Sequence, residues 1–203
     1  MKFNVPTKLT FLRLILAVLI IVLLFFPFYR VGFEFKTFLY HSILIDVRYI
    51  LCGFIFIIAS FTDYLDGYLA RKNKQVTDFG KFSDAIADKV LVNSVLIIFA
   101  SQGFIPAVIP VVVIVRDIIV DAIRMNAAGK GNVQAAKMSG KIKAACLMIG
   151  IILTFFYNLP FELFGLQISK FFLYFGTLMS LVSMVEYYNL NKKLLYSEFN
   201  NKK

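Results

Sequence analysis

The sequence predicts an all-α, polytopic integral membrane protein with six transmembrane helices and both termini in the cytoplasm. Of the 203 residues, 60% are hydrophobic and 17% are charged, and the mean hydropathy is +0.78. A soluble domain is about 45–50% apolar, so its fold could not bury this much apolar surface. The charges fall between long apolar stretches, a pattern that excludes intrinsic disorder and coiled coils.

Six apolar runs are each close to the length that a transmembrane helix needs, about 20 residues. They cover residues 9–28, 43–70, 84–100, 106–128, 142–157 and 168–190. The linkers after residues 28, 100 and 157 are predicted to be external. Gly103, Asn158 and Pro160 provide residues typical of turns in the second and third of these linkers.

The basic residues predict the orientation. Sixteen Lys and Arg residues, Arg13 among them, lie in segments on one side of the predicted membrane. Four lie on the other side, namely Arg30, Lys36, Arg48 and Lys170. Because basic residues accumulate in cytoplasmic segments, the larger set and both termini are predicted to be cytoplasmic.

The formal net charge of +10 indicates anionic partners. In a soluble chain this charge would suggest nucleic acid. In a membrane protein it favours anionic membrane lipids or phosphorylated substrates instead, and no nucleic-acid partner is expected.

Half of the twelve acidic residues lie within or at the ends of the second, third and fourth apolar runs. Buried carboxylates are costly, so each needs a function or a partner. Asp63 and Asp66 share one helix face, and Asp84 and Asp88 share a face of the next helix. We expect the two pairs to face each other at the cytoplasmic ends of their helices. Four converging carboxylates suit two divalent cations, Mg²⁺ or Mn²⁺.

Small residues accompany these acids. Gly67, Ala70 and Gly80 would let a phosphorylated ligand approach the backbone, and Arg71 could pair with a phosphate. Close helix packing is the alternative explanation for any one of the small residues.

The spacing D-x2-D-G-x2-A-R-x8-G-x3-D-x3-D, from Asp63 to Asp88, resembles the signature of the CDP-alcohol phosphatidyltransferase family. The segment from Pro6 to Arg13 is similar to the family's N-terminal segment. The resemblance implies one membrane domain over residues 1–203. It also implies a reaction in which an acceptor hydroxyl attacks the lipid-linked phosphate of CDP-diacylglycerol and releases CMP.

The resemblance also implies roles for the motif residues. Asp63, Asp66, Asp84 and Asp88 would be metal ligands, and Asp88 would also be the general base. The CDP-lipid would be held by Asp66, Gly67, Ala70, Arg71 and Gly80. Phosphoryl transfer needs these parts in any case, because metal ions must neutralise the pyrophosphate and a base must lie near the nucleophile.

The fourth run and the segment after it favour glycerol 3-phosphate as the acceptor. Arg116 lies about 12 Å from the cytoplasmic end of its helix, at 1.5 Å per residue, which is too deep for its charge to reach water easily. It is therefore predicted to face a wet cavity that binds phosphate. An ion pair with Asp117 or Asp121 is the alternative. The complete predicted phosphate site is Arg116, Arg124, Lys137, Lys141 and Lys143.

Other interpretations stay open at this point. The acceptor could instead be inositol phosphate, phosphatidylglycerol or serine, since Asp117, Ala85 and Ala144 differ from the residues usual in the family. A cation transporter that uses the intramembrane acids is a second class. Gly176, Ser180 and Ser183 form a stripe of small residues that indicates either a homodimer or packing within the chain. The protein is expected in the plasma membrane, with its active site on the cytoplasmic side.

Overall fold

The computed structural model describes the backbone of residues 5–41, 43–72, 78–129 and 137–200. Over these residues the chain forms six α-helices, one for each predicted span. They are α1 Val5–Phe25, α2 Val47–Lys72, α3 Asp78–Ser101, α4 Val108–Gly129, α5 Met138–Phe155 and α6 Ile168–Asn200. The predicted helical fold class is therefore confirmed.

The prediction for the start of the second run is wrong. Residues 43–46, expected to open the helix, form strand β2 (Ile43–Asp46), which pairs antiparallel with β1 (Thr37–Tyr40). The helix begins only after Asp46, whose Oδ1 accepts a hydrogen bond from the backbone N–H of Arg48 at 2.8 Å. A side-chain acceptor at this position is typical of a helix N-terminus. A short apolar run does not by itself distinguish a strand from a helix.

Two helices extend well beyond their apolar runs. α3 begins at Asp78, whereas the apolar run begins at residue 84, and α6 continues to Asn200. Asp84 and Asp88 thus lie inside α3 and not at its end, which corrects the predicted position. The end of an apolar run marks the edge of the membrane core, whereas a helix continues for as long as its backbone hydrogen bonds continue.

The helices pack around a core of aromatic and aliphatic side chains. α1 contacts α2 and α3, α5 contacts α2 and α6, and α4 contacts α6. The rings of Phe56 and Phe99, from α2 and α3, lie 5.8 Å and 4.7 Å from the ring of Phe155 on α5. At Gly150 a Cβ atom would come within 2.7 Å of Leu173, so this glycine is needed for the close approach of α5 and α6.

The small residues of α6 also serve packing within the chain. A Cβ added to Gly176 would lie 3.1 Å from the side chain of Leu147 on α5. Ser180 and Ser183 are completely buried. Packing within the chain therefore explains this stripe, and the homodimer stays a prediction.

Three helices in the described part of the chain are long and apolar enough to cross a membrane. The corresponding segments are Lys8–Phe25, Met138–Phe155 and Ile168–Lys192. Large apolar side chains are also exposed on the outer surface of every helix. Examples, in chain order from α1 to α6, are Ile15, Phe54, Ile97, Ile118, Ile149 and Phe171.

The turn residues act as predicted in the second and third linkers. Gly103 and Asn158 have positive φ angles of 80° and 57°. The side chain of Asn158 donates to Glu162 and to the carbonyl of Leu166, and it accepts from the backbone N–H of Ser169. The turn between α5 and α6 is therefore fixed by one buried amide.

Candidate active site

Three motif acids from two helices converge at one point. Asp63 on α2 and Asp84 and Asp88 on α3 are each partly buried, and one carboxylate oxygen from each lies within 4.8 Å of the others. The helices bring the acids together because α1 packs against both α2 and α3. The arrangement places three negatively charged groups within a single coordination sphere.

The other motif residues are only partly described. Gly80 lies in the first turn of α3 and is partly buried. The backbone of α2 runs through the rest of the motif, but the side-chain positions there lie outside the described residues. This concerns Asp66, Gly67, Ala70 and Arg71.

Arg13 of α1 is a residue of this site that the sequence interpretation missed. Its side chain is fully buried, and its Nη1 lies 2.9 Å from Asp63, 2.8 Å from Asp84 and 2.6 Å from Asp88. The charge count includes Arg13 among the basic residues of the cytoplasmic side and says nothing about its carboxylate partners. The available signal was its depth in an apolar helix, where a cation requires a partner.

The acidic cluster fits a divalent metal ion. Carboxylate oxygens are the hard ligands that Mg²⁺ and Mn²⁺ prefer. Asp63, Asp84 and Asp88 offer one such oxygen each from two helices that pack against a common neighbour. These three residues could therefore hold a metal ion at the face of α2 and α3 that α1 covers.

A cavity of about 280 Å³ lies beside the acidic cluster. It is formed by α3, α4 and α5, with Tyr187 of α6 and with Lys137 just before α5. Asp88 lines it and thus belongs both to the cluster and to the cavity. Its basic lining residues are Lys89, Arg116, Arg124, Lys137 and Lys143, and its acidic ones are Asp88, Asp117 and Asp121. Five cations and three carboxylates leave a net charge of +2.

Arg116 forms the ion pair that was one of the two alternatives for this residue, and phosphate binding stays a prediction. It donates to Asp117 at 2.8 Å, so the ion pair exists, and it also lines the cavity. Its Nη2 donates to the hydroxyl of Ser183 at 2.5 Å and its Nε to the carbonyl of Ser180 at 3.2 Å. The guanidinium is therefore held rigidly by α6 and by its own helix.

The remaining predicted cations differ in position. Lys143 is buried and donates to Asp117 at 2.5 Å. Arg124 and Lys137 are exposed side chains on the cavity lining and form no ion pair with the described residues. Lys141 is exposed and does not line the cavity, in contrast to the prediction. On α5, residues 141 and 143 are two positions apart and point in different directions.

Two further cavity residues were not predicted. Lys89 forms an ion pair with Asp121 and so connects α3 to α4. Asn93 lies one turn further along α3, and its side-chain oxygen is buried without a hydrogen-bond partner among the described residues. Buried polar atoms are nearly always paired, so an orphan in a cavity wall is suited to a ligand. A single Asn in an apolar helix gave little signal in the sequence.

Comparison with known proteins identifies the family. Residues 3–183 match the model of the CDP-alcohol phosphatidyltransferase family, and the chain belongs to this family. Among curated proteins, the chain is similar to the CDP-diacylglycerol–glycerol-3-phosphate 3-phosphatidyltransferase of Bacillus subtilis. The two are 38% identical over 197 residues, which cover 95% of this chain and 97% of the relative.

Two further relatives carry the same name. The protein of Haemophilus influenzae is 34% identical over 200 residues, covering 95% of each chain. The protein of Mycoplasma genitalium is 44% identical over 115 residues, covering 57% of this chain and 49% of the relative.

Proposed function

We propose that this protein transfers the phosphatidyl group of CDP-diacylglycerol to glycerol 3-phosphate, giving phosphatidylglycerol phosphate and CMP. One observation carries the proposal: Asp88 is shared by the acidic cluster and the cationic cavity. A group in this position can serve both the activated phosphate and the acceptor. The names of the relatives support the same reaction.

The donor belongs on the side of the acidic cluster. Asp63, Asp66, Asp84 and Asp88 would hold two divalent ions, Mg²⁺ or Mn²⁺, which neutralise the diphosphate of the CDP-lipid and its developing charge when they are bound. Asp66, Gly67, Ala70, Arg71 and Gly80 would hold the cytidine diphosphate. The lipid tails of the donor then extend into the membrane beside the apolar outer surface of the helices.

The acceptor belongs in the cavity. Arg116, Arg124, Lys137 and Lys143 would bind the phosphate of glycerol 3-phosphate, because charge-assisted hydrogen bonds to phosphate are strong. Asn93 also lines the cavity, and its side-chain amide would form a hydrogen bond with a glycerol hydroxyl. Lys141 would contribute only to the local potential, since it lies outside the cavity lining.

Asp88 is proposed as the general base. It would accept the proton of the acceptor hydroxyl while that oxygen forms a bond to the lipid-linked phosphorus. The bond between this phosphorus and the oxygen of CMP breaks, and CMP leaves. Because Arg116 is fixed by Ser183 and Asp117, the acceptor phosphate would bind to a preorganised group, which favours in-line attack.

The exposed apolar side chains on all six helices support six membrane spans in the single domain proposed for residues 1–203. The charge asymmetry of the sequence supports cytoplasmic termini and a cytoplasmic active site in the plasma membrane. A cytoplasmic site suits a reaction with a membrane-bound donor and a soluble product.

The size of the cavity favours a small acceptor. Its volume of about 280 Å³ is just below the range of typical ligand pockets, about 300–1,000 Å³. Serine, in contrast, has no phosphate for the basic residues to bind. A cation transporter would not need five basic side chains beside its carboxylates.

An activity assay tests the proposal. The purified protein is incubated with CDP-diacylglycerol, Mg²⁺ and, separately, glycerol 3-phosphate, inositol phosphate, phosphatidylglycerol or serine, and CMP release is measured. We expect CMP to be released with glycerol 3-phosphate far faster than with the other acceptors. Release with another acceptor alone would overturn the acceptor assignment and leave the family unchanged.

A further inference from the structure

We propose that Arg13 is an internal counter-cation of the acidic cluster, which competes with divalent metal ions for the same carboxylate oxygens and so limits the metal affinity of the site. The inference rests on the proposed function, because it takes the motif acids as metal ligands. It assigns a role to a residue that the reaction itself leaves unexplained.

The position of Arg13 is the first argument. A single nitrogen, Nη1, lies 2.6–2.9 Å from one oxygen of each of three carboxylates. One oxygen from each of these three acids also lies within 4.8 Å of the others, close enough to share a metal ion. A divalent ion bound by all three would need the space around Nη1. The guanidinium and the ion are therefore alternatives for at least part of the cluster.

Burial is the second argument. Arg13 is 0% exposed and lies inside a helix that is apolar enough to cross a membrane. A cation at this depth is stable only with a carboxylate partner, and the carboxylates equally need a cation. With Arg13, the three described acids keep a formal charge of −2. Without Arg13, the three acids would carry a formal charge of −3. The carboxylates would then repel one another more strongly and attract a divalent ion more strongly.

The sign of the change in metal affinity separates this role from a purely structural one. If Arg13 competes with the metal, its neutralisation tightens metal binding. If Arg13 only holds α1 against α2 and α3, its neutralisation loosens the cluster, so metal binding weakens or stays the same. A titration with metal therefore distinguishes the two roles, because only the competing role predicts tighter binding.

The experiment uses full-length protein in detergent without either substrate. Mn²⁺ binding is measured from the electron paramagnetic resonance signal of free Mn²⁺, and thermal unfolding is followed with and without Mn²⁺. For Arg13→Gln we expect a Kd for Mn²⁺ about tenfold lower than that of the unmodified protein. Its unfolding temperature should fall without Mn²⁺ and recover most of the loss at saturating Mn²⁺.

Two further variants serve as controls. Arg13→Lys keeps the charge and should bind Mn²⁺ with a Kd within about threefold of the unmodified protein. Arg48→Gln removes an arginine that pairs with Asp46 at 2.5 Å, away from the cluster. It should leave the Kd for Mn²⁺ unchanged and lower the unfolding temperature equally with and without the metal.

The Kd of Arg13→Gln for Mn²⁺ decides whether Arg13 competes with the metal. A Kd for Arg13→Gln that is unchanged or higher would overturn the counter-cation role while the metal site stands. If the unmodified protein binds no Mn²⁺, the metal assignment of the proposed function fails, and this inference fails with it. Arg13→Gln could also fail to yield folded protein when it is purified without Mn²⁺. If folded protein is then obtained with Mn²⁺ present, the inference is supported. If no folded protein is obtained in either condition, the inference is overturned.

Discussion

Lys143 on α5 donates to Asp117 on α4 at 2.5 Å, and both side chains are buried. The same carboxylate oxygen of Asp117 accepts from Arg116 at 2.8 Å. One carboxylate thus balances two cations of the cavity and positions both. Asp117 is therefore the centre of this arrangement.

The pair of Asp117 and Lys143 is expected to stabilise the fold. Asp117→Asn leaves two buried cations without their carboxylate, which should cost about 3 kcal/mol or more. For a chain of this size the unfolding temperature should fall by roughly 6–12 °C, which thermal unfolding in detergent would measure. The double variant Asp117→Asn, Lys143→Met removes one of the two cations and should regain part of the loss. An equal or larger loss in the double variant would show that the pair is not coupled.

The motif acids are expected to act as one unit. Replacing any of Asp63, Asp66, Asp84 or Asp88 by Asn changes little volume, so the protein should fold, while CMP release should fall by at least about a hundredfold. Chelation with EDTA should have the same effect on the unmodified protein. Asp46→Asn, on the hairpin away from the cluster, is the matched control and should remain active. Appreciable turnover by Asp88→Asn would remove Asp88 from the role of base.

Replacement of basic residues that line the cavity should raise the KM for glycerol 3-phosphate and not the KM for the CDP-lipid. Arg124→Ala and Lys137→Ala should each raise the KM for glycerol 3-phosphate by about tenfold or more, since each removes a charged hydrogen bond. The KM for the CDP-lipid should hardly change. Lys141→Ala should have a smaller effect because Lys141 lies outside the cavity lining. Lys192→Ala, an exposed charge on α6, is the control. A KM effect at Lys141 equal to that at Lys137 would contradict the assigned cavity.

Asn93 is expected to recognise a hydroxyl of the acceptor. Asn93→Ala removes one neutral hydrogen bond, so the KM for glycerol 3-phosphate should rise by about three- to tenfold. Mn²⁺ affinity and the KM for the CDP-lipid should not change. Asn93→Gln keeps the amide but extends it, and it should recover little. Unchanged kinetics for Asn93→Ala would show that the side chain makes no hydrogen bond to the acceptor.

The predicted topology can be tested by labelling. In a variant with Cys52→Ala and Cys146→Ala, single cysteines at Lys74→Cys and Asn132→Cys should react only with reagents added from the cytoplasmic side. Lys36→Cys should react only from outside. The two native cysteines are buried, so their replacement by a small apolar residue should leave the fold intact. Labelling of positions 74 and 132 from outside would invert the proposed orientation.

The membrane class, the helical fold, the approximate helix positions and the acidic motif can all be predicted from the amino-acid sequence. These are local properties: an apolar run of about 20 residues predicts a span, and a spacing of three or four residues places two acids on one helix face. The convergence of Asp63 with Asp84 and Asp88 followed from the short connection between two neighbouring helices. The family resemblance added the chemistry of that motif.

Contacts between distant segments could not be predicted from the sequence and are known only from the packing of the helices. This packing brought Arg13 into the acidic cluster across 75 residues, joined Lys143 to Asp117 and left Lys141 outside the cavity lining. A count of basic residues treats every Lys and Arg alike. The burial of each side chain and its ion-pair partner depend on which helix faces pack together. Those faces are fixed by close approaches such as Gly150 against Leu173, and they involve side chains far apart in sequence.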